Sequence, residues 1–245
     1  FMAFAAAMAG RSGPALRAGD KLATLAESRM TDAPSMAFLQ HHATRALQLR
    51  TRFGRWDEIL RAPAPRKELL HARGMWHYAR GRALVAGGRL GDAERELAQV
   101  RAASVDPRLA GVRLEFNESQ PLLRIAGHVL AGRIAASRSQ FDTAVGHLRE
   151  AARLEDALGY GEPPDWTIPV RQELGAVLLA ADRPAEAERS YREDLKRFPR
   201  NGWSLAGLAR ALHAQQRHDD AARVETELRD AWASADIPLP TFGAS

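Results

Sequence analysis

A short pattern that recurs along the whole chain constrains its fold more than any other feature of the sequence. Each copy has a helix-like stretch, a glycine or polar break, one bulky residue, an acidic residue and an anchor that opens a second helix-like stretch. The clearest copy is residues 88–93 (GRLGDA). The six anchors are Ala15, Ile59, Ala93, Ala144, Ala187 and Ala221, with spacings of 44, 34, 51, 43 and 34 residues. A period of this length predicts a repeat protein built from pairs of helices.

Small and apolar residues recur at fixed distances from these anchors. Twelve residues before an anchor stand Gly81, Gly132, Gly175 and Ala209, and nine before stand Leu84, Ala135, Leu178 and Leu212. We expect the three glycines to mark close crossings between helices, because a residue without a side chain lets two backbones approach. Strand signals are nearly absent from the sequence, so the pattern predicts an all-α fold.

This pattern resembles the tetratricopeptide repeat (TPR), a helix–turn–helix unit of 34 residues. The resemblance implies a right-handed α-α superhelix that forms a single solenoid over residues 1–245. The implied units are a partial unit at 1–30 and units at about 36–70, 74–104, 124–156, 167–199 and 201–235. The runs EPPDW at 162–166 and YREDL at 191–195 further resemble the C-terminal part of long bacterial TPR proteins, a group defined by sequence and not by activity. Asp194 departs from the pattern, since it stands where an apolar residue is expected.

The spacings of 51 and 43 residues exceed the period and predict inserted loops at about 105–122 and 157–166. Two prolines forbid a helix in the second loop, and we expect Asp165 to cap the helix that follows it. Inserted loops lie at the edge of a solenoid and often carry function. Glu162, Asp165 and Trp166 are therefore candidate lid residues over a groove. The alternative for Trp166 is a structural role in which it packs the loop onto the next helix.

Composition excludes several classes of function. The chain has no cysteine, which removes thiolate nucleophiles and cysteine-ligated metal centres. This composition leaves cytosol and periplasm both open, and we adopt the cytoplasm as the expectation. The net charge of +5 comes from arginines scattered among acidic residues, with no run of like charges that would mark a nucleic-acid-binding tail. No apolar stretch approaches the roughly 18 residues of a membrane span. We expect neither nucleic acid nor a membrane as a partner.

Motifs of common enzyme classes are absent, including the P-loop, the dinucleotide-binding glycine motif, the zinc-protease motif and the serine–lysine motif. The sequence leaves catalysis open but favours a non-catalytic protein that needs no cofactor.

The face of a TPR solenoid that binds ligands is made by the first helix of each pair, and helical geometry indicates which residues reach it. One row, eleven residues before the anchors, contains Gln48, Arg82, Arg133, Ala176 and Arg210; a second, fifteen before, contains Thr44, Tyr78, Val129, Gln172 and Ala206. The two rows share one helical face.

Arginines about 10 Å apart in one row suit carboxylates or phosphate. We therefore predict a groove for an acidic or carboxylate-bearing peptide or protein, contacted by Tyr78, Arg82, Arg133, Gln172, Arg210 and His213. The alternative is that these arginines are solvated or paired within the chain.

Histidines support a different hypothesis, a metal-dependent enzyme or modifier. His77 and His128 both stand sixteen residues before an anchor, where the repeat usually keeps a bulky apolar residue, and His42 precedes them. With Glu162 or Asp165 they could bind a divalent transition metal. Ligands must lie about 2 Å from the ion, whereas equivalent positions of neighbouring repeats are about 10 Å apart. We therefore favour buried, non-ligating histidines.

The N-terminal residues Phe1, Met2 and Phe4 begin in mid-pattern with an apolar face. A solenoid end needs a cap or a neighbour. This end therefore predicts either further N-terminal repeats or a homodimer through the Phe1–Phe4 face.

Overall fold

The computed structural model describes residues 1–30 and 36–238, and these residues are all-helical. Helices make up 73% of the structure, and the described residues contain no strand, only an isolated antiparallel bridge between Arg113 and Glu118. The helices are α1 (Met2–Met8), α2 (Ser12–Ser28), α3 (Ala37–Ala43), α4 (Arg45–Arg52), α5 (Trp56–Arg61), α6 (Leu70–Ala86), α7 (Leu90–Ser104), α8 (Ser119–Ser137), α9 (Phe141–Asp156), α10 (Val170–Ala180), α11 (Pro184–Arg197), α12 (Gly202–Ala214) and α13 (His218–Trp232). The all-α class predicted from the sequence is confirmed. Within the described ranges, no helix is both long and apolar enough to cross a membrane.

Six equivalent turns join the helices in pairs, and they explain the recurring sequence pattern. In each turn the residue five positions before the anchor has a left-handed backbone with φ between 56° and 71°: Gly10, Gly54, Gly88, Ser139, Asp182 and Gln216. The amide of the next residue donates to the carbonyl five residues earlier, at 2.9–3.0 Å in all six turns. These bonds satisfy carbonyls that the end of a helix would otherwise leave unpaired. The glycine or polar break of the sequence is therefore the left-handed residue of each turn.

The anchors and small residues pack the helices closely. All six anchors are 0% exposed. At Gly81, Gly132 and Gly175 an added Cβ would lie 2.9 Å or less from a side chain of a neighbouring helix, as expected for close crossings. One continuous apolar core runs through α6 to α13 and includes Tyr78 and Trp166.

The first and last helix pairs contact each other. The Trp203 indole in α12 donates to the Ala7 carbonyl in α1 at 2.9 Å, and the Phe4 and Phe198 rings are 6.1 Å apart. Beyond α13, Asp236 accepts hydrogen bonds from the first amides of α2, including that of Gly13 at 2.8 Å. The chain's own C-terminal pair therefore covers part of the N-terminal face. Phe1 and Met2 remain exposed.

The two inserted segments also contact each other. The first, residues 105–118 between α7 and α8, contains a 3₁₀ turn at Pro107–Leu109; the second, residues 157–169 between α9 and α10, is called the strap below. The Gly159 amide donates to Asn117 Oδ1 at 2.7 Å. The prediction that Asp165 caps the following helix is wrong, because α10 starts only after Pro169 and its first amide, that of Val170, donates to Glu155 at 3.0 Å.

Candidate functional site

Helices α4, α6, α8, α10 and α12 turn one face toward a shared interior, called the inner face below. Side chains from separate helices meet there: Arg82 of α6 and Arg133 of α8 both approach Glu173 of α10, and Arg52 of α4 reaches Gln172 of α10. Residues from both predicted rows therefore lie together, although Glu173 and Arg52 belong to neither row.

Glu173 is the centre of this arginine cluster. Its Oε1 accepts from Arg82 Nη2 at 2.8 Å, and its Oε2 is 3.7 Å from Arg133 Nε. Arg82 also donates to the Tyr78 hydroxyl at 3.0 Å. The side chains of Arg82, Glu173 and Arg133 are 8%, 14% and 25% exposed. The cluster therefore opens to solvent on the side of Arg133.

Among the described residues, Glu173 is the one acid in an ion pair with Arg82 or Arg133. Burial alone would raise the pKa of Glu173, but Arg82, Arg133 and Arg52 together hold it below its ordinary value. Arg210 and Glu173 both act on the Tyr191 hydroxyl, so a further arginine lies on the same face. Arg133 Nε is buried and makes no hydrogen bond to the described residues. Arg82 and Arg133 thus both lie within ion-pair distance of the single carboxylate of Glu173.

A second group of buried polar residues joins α4 to α10, α11 and α12. Arg52 donates to Gln172 Oε1 at 2.6 Å and stacks on the Trp203 ring at 3.9 Å from its centre. Gln172 in turn donates to Asp194 at 3.0 Å, and Ser204 donates to the same carboxylate oxygen at 2.5 Å. Burial raises the pKa of Asp194. Asp194, which stands where the repeat pattern expects an apolar residue, therefore accepts hydrogen bonds from buried donors.

The strap is attached to the inner face through Asp165. Asp165 Oδ2 accepts from the Asn117 amide at 3.0 Å and from the Asn117 side chain at 2.9 Å. Its Oδ1 is 3.5 Å from His41 Nε2, and Arg45 donates to the Asp165 carbonyl at 3.1 Å. Burial alone would raise the pKa of Asp165, but contacts with His41, Asn117 and Arg45 lower it to about 2.

A row of four buried side chains continues from Asp165. His41 Nδ1 is 3.3 Å from His71 Nε2, and His71 Nδ1 is 2.8 Å from Ser119 Oγ. Burial lowers the pKa of His41 to about 4 and that of His71 well below its ordinary value. All four residues are at most 2% exposed. The row therefore joins four chain segments and presents no reactive atom to solvent.

The other lid residues lie on either side of this attachment. Trp166 is 3% exposed, and its ring centre is 5.5 Å from that of Tyr78 in α6. Its side chain is therefore part of the apolar core together with Tyr78. Glu162 is exposed and accepts a hydrogen bond from the Tyr160 hydroxyl.

The histidines proposed as metal ligands are in three separate contacts. His77 Nδ1 is 2.5 Å from Glu96, His128 Nδ1 is 3.2 Å from His147, and His42 Nε2 is 3.7 Å from Glu115. No group of three or more His, Asp or Glu residues in the described part of the chain could hold a metal ion. His213, predicted to face the groove, is half exposed and 2.8 Å from Glu225 of α13.

Two cavities are lined in part by helix α4. A cavity of about 50 Å³ is lined by Phe4, Arg45, Arg52 and strap residues such as Ile168. A groove of about 860 Å³ beside α2 and the segment 62–66 contains none of the arginines predicted to bind a ligand.

No family model, no curated protein and no solved structure matches this chain. The geometry of its residues therefore carries the functional argument.

Sequence reasoning missed the residues that complete the inner face. Glu173 is next to Gln172 of the predicted row, and an acid on a helix rich in inward positions could have indicated a partner for the arginines. His71 was missed because the predicted unit starts at residue 74, whereas helix α6 begins at Leu70 and includes His71. The sequence analysis names His42, but its neighbour His41 is the buried histidine of this segment and His42 is half-buried.

Proposed function

We propose that this chain is a TPR-like interaction module, a right-handed superhelix of helix pairs whose inner face binds an acidic or carboxylate-bearing segment of a partner protein. Six equivalent turns and six fully buried anchors support the repeat architecture. The resemblance of the sequence pattern to the TPR points the same way.

The observation that carries the binding proposal is the arginine cluster around Glu173. Arg82 and Arg133 share one carboxylate, and the Arg133 side chain, 25% exposed, makes a 3.7 Å ion pair with it but no hydrogen bond to the described residues. A second carboxylate, supplied by a partner, would neutralise the remaining charge and receive charge-assisted hydrogen bonds from Arg133.

The alternative, a metal-dependent enzyme or modifier, depends on His42, His77 and His128 converging with a strap carboxylate. Each of these histidines already contacts a different side chain. The geometry therefore favours the interaction module.

The test is binding of a short fluorescent oligoglutamate peptide, followed by anisotropy. Arg133→Gln is expected to weaken binding about tenfold, since it removes a guanidinium that is more exposed than that of Arg82. Arg138→Gln, at the end of the same helix, makes the same charge change outside the cluster and is the matched control. An oligoglutamine peptide should not bind. Equal affinity of the Arg133 variant and the wild type would refute the site.

A further inference from the structure

A small cavity on a different face, between α7 and α8, has the residues of an anion site. Its volume is about 70 Å³, and Arg101, Ser104, Arg124, Gly127 and His128 line it. This is several times the cavity volume that one water molecule needs, so a phosphate-sized oxyanion has room to enter. No carboxylate lines it.

The two arginines of this cavity have no partners among the described residues. The side chains of Arg101 and Arg124 make no hydrogen bond or ion pair with any residue that the structure describes, and both are exposed. The nearby carboxylate, Glu150, is bound through both oxygens by Arg153, at 2.6 and 2.8 Å. The positive charge of the cavity is therefore not neutralised within the described chain.

His128 adds a third donor. Its Nδ1 lies 3.2 Å from His147 Nδ1, so one ring carries its proton at Nδ1 and the other accepts it there. When His128 is the acceptor, its own proton is on Nε2 and is free to be donated. Burial lowers the pKa of His128, and the charges of Arg101 and Arg153 lower it further, against the opposite effect of Glu150. Ser104 already donates its hydroxyl proton to the Arg101 carbonyl at 2.8 Å.

We propose that Arg101, Arg124 and His128 form a binding site for a phosphate group, present either as the free ion or as a phosphate monoester. Planar guanidinium groups bind phosphate through two parallel hydrogen bonds. A bound dianion would offset the cationic surroundings of His128 and favour its protonated form. Binding of phosphate is therefore coupled to uptake of a proton.

The probe for this site is inorganic phosphate, titrated at constant ionic strength against chloride while the imidazole signals of His128 and His147 are followed by NMR. Phosphate is expected to raise the pKa of His128. In the double variant Arg101→Gln/Arg124→Gln, phosphate binding should weaken about tenfold or more.

The matched control is Arg95→Gln/Arg138→Gln, which makes the same charge change on α7 and at the end of α8, where both arginines are paired with acids. The control should bind phosphate like the wild type.

A phosphoserine peptide distinguishes the sources of the phosphate group: tighter binding than inorganic phosphate indicates a phosphorylated protein, and weaker binding indicates the free ion or a small ester. An effect of phosphate no larger than that of chloride, or an equal loss in both double variants, would overturn the proposal. Oligoglutamate binding at the inner face should survive the Arg101/Arg124 substitutions, so the two sites are tested independently.

Discussion

Glu173 determines how the arginines of the inner face are used. Without an internal acid, Arg82 and Arg133 would form the open cationic row that the sequence predicts. With it, Arg82 is bound at 2.8 Å and nearly buried, and Arg133 is left at the mouth of the cluster. Helical periodicity predicts that the two arginines share one face, because the face on which a residue lies depends only on its spacing along the helix. It could not assign their partner, since Glu173 reaches them from a helix more than 35 residues further along the chain.

Buried histidines give the stability of the protein a defined pH dependence. His41 has its pKa lowered from 6.5 to about 4, first by burial and then by Arg45, against the opposite effect of Asp165. Below about pH 6.5 the unfolded chain binds a proton at this residue that the folded chain does not, so stability is present above this pH and is lost as the pH falls toward 4. This one residue can account for roughly 3 kcal/mol of the loss.

The measurement is the free energy of unfolding by urea between pH 7 and pH 4. In His41→Gln the fall should be shallower than in the wild type. His218→Gln, on the exposed α13, is the control and should keep the wild-type slope. Identical slopes in wild type and His41→Gln would show that His41 binds its proton equally in the folded and unfolded chain, which would contradict this account.

At the scale of the helices, the turns are the best-predicted part of the structure. The turn pattern is local, because a left-handed residue followed by a bonded amide depends on five or six consecutive residues. The strap is the worst-predicted part. Its attachment depends on pairs such as Asp165 with Asn117 and Arg45 with Asp165, which are 48 and 120 residues apart. No local pattern records such contacts, and this is why Asp165 was assigned to a helix cap.

Three of the six turns have a residue other than glycine in the left-handed position, and this costs stability. Gln216, with φ of 59°, is one of them. Gln216→Gly is expected to raise the free energy of unfolding by about 0.5–1 kcal/mol, because glycine adopts this conformation without a steric penalty.

The reverse substitution provides the control. Gly88 has a φ of 71° and open space around an added Cβ, so Gly88→Ala tests the backbone effect alone and should destabilise by about 1 kcal/mol. Gly91→Ala, in helical backbone with equally open space, should cause no loss. Destabilisation by Gln216→Gly would contradict this account of the turns.

At the scale of the whole molecule, the ends of the helix array meet and the strap fills part of the interior. Trp203 takes part in both features, since it bonds to Ala7 and supports Arg52. The sequence predicts further repeats or a second copy of the chain at the N-terminal face, because periodicity describes each unit and its neighbour but not the curvature that brings the first unit to the last. The inner face is consequently more enclosed than an open groove, and its accessible part is the mouth beside Arg133.

The central claim is that a partner's carboxylate binds beside Glu173, and Glu173→Gln tests it most directly. The substitution removes the internal negative charge while keeping a hydrogen-bond acceptor for Arg82. We expect the affinity for the oligoglutamate peptide, measured by anisotropy, to rise about threefold or more. The free energy of unfolding should fall by about 2 kcal/mol without peptide, because Arg82 loses its charged partner. Glu94→Gln, at a surface pair with Arg138, should change neither. An affinity that stays constant or falls in Glu173→Gln, while the variant remains folded, would contradict the claim.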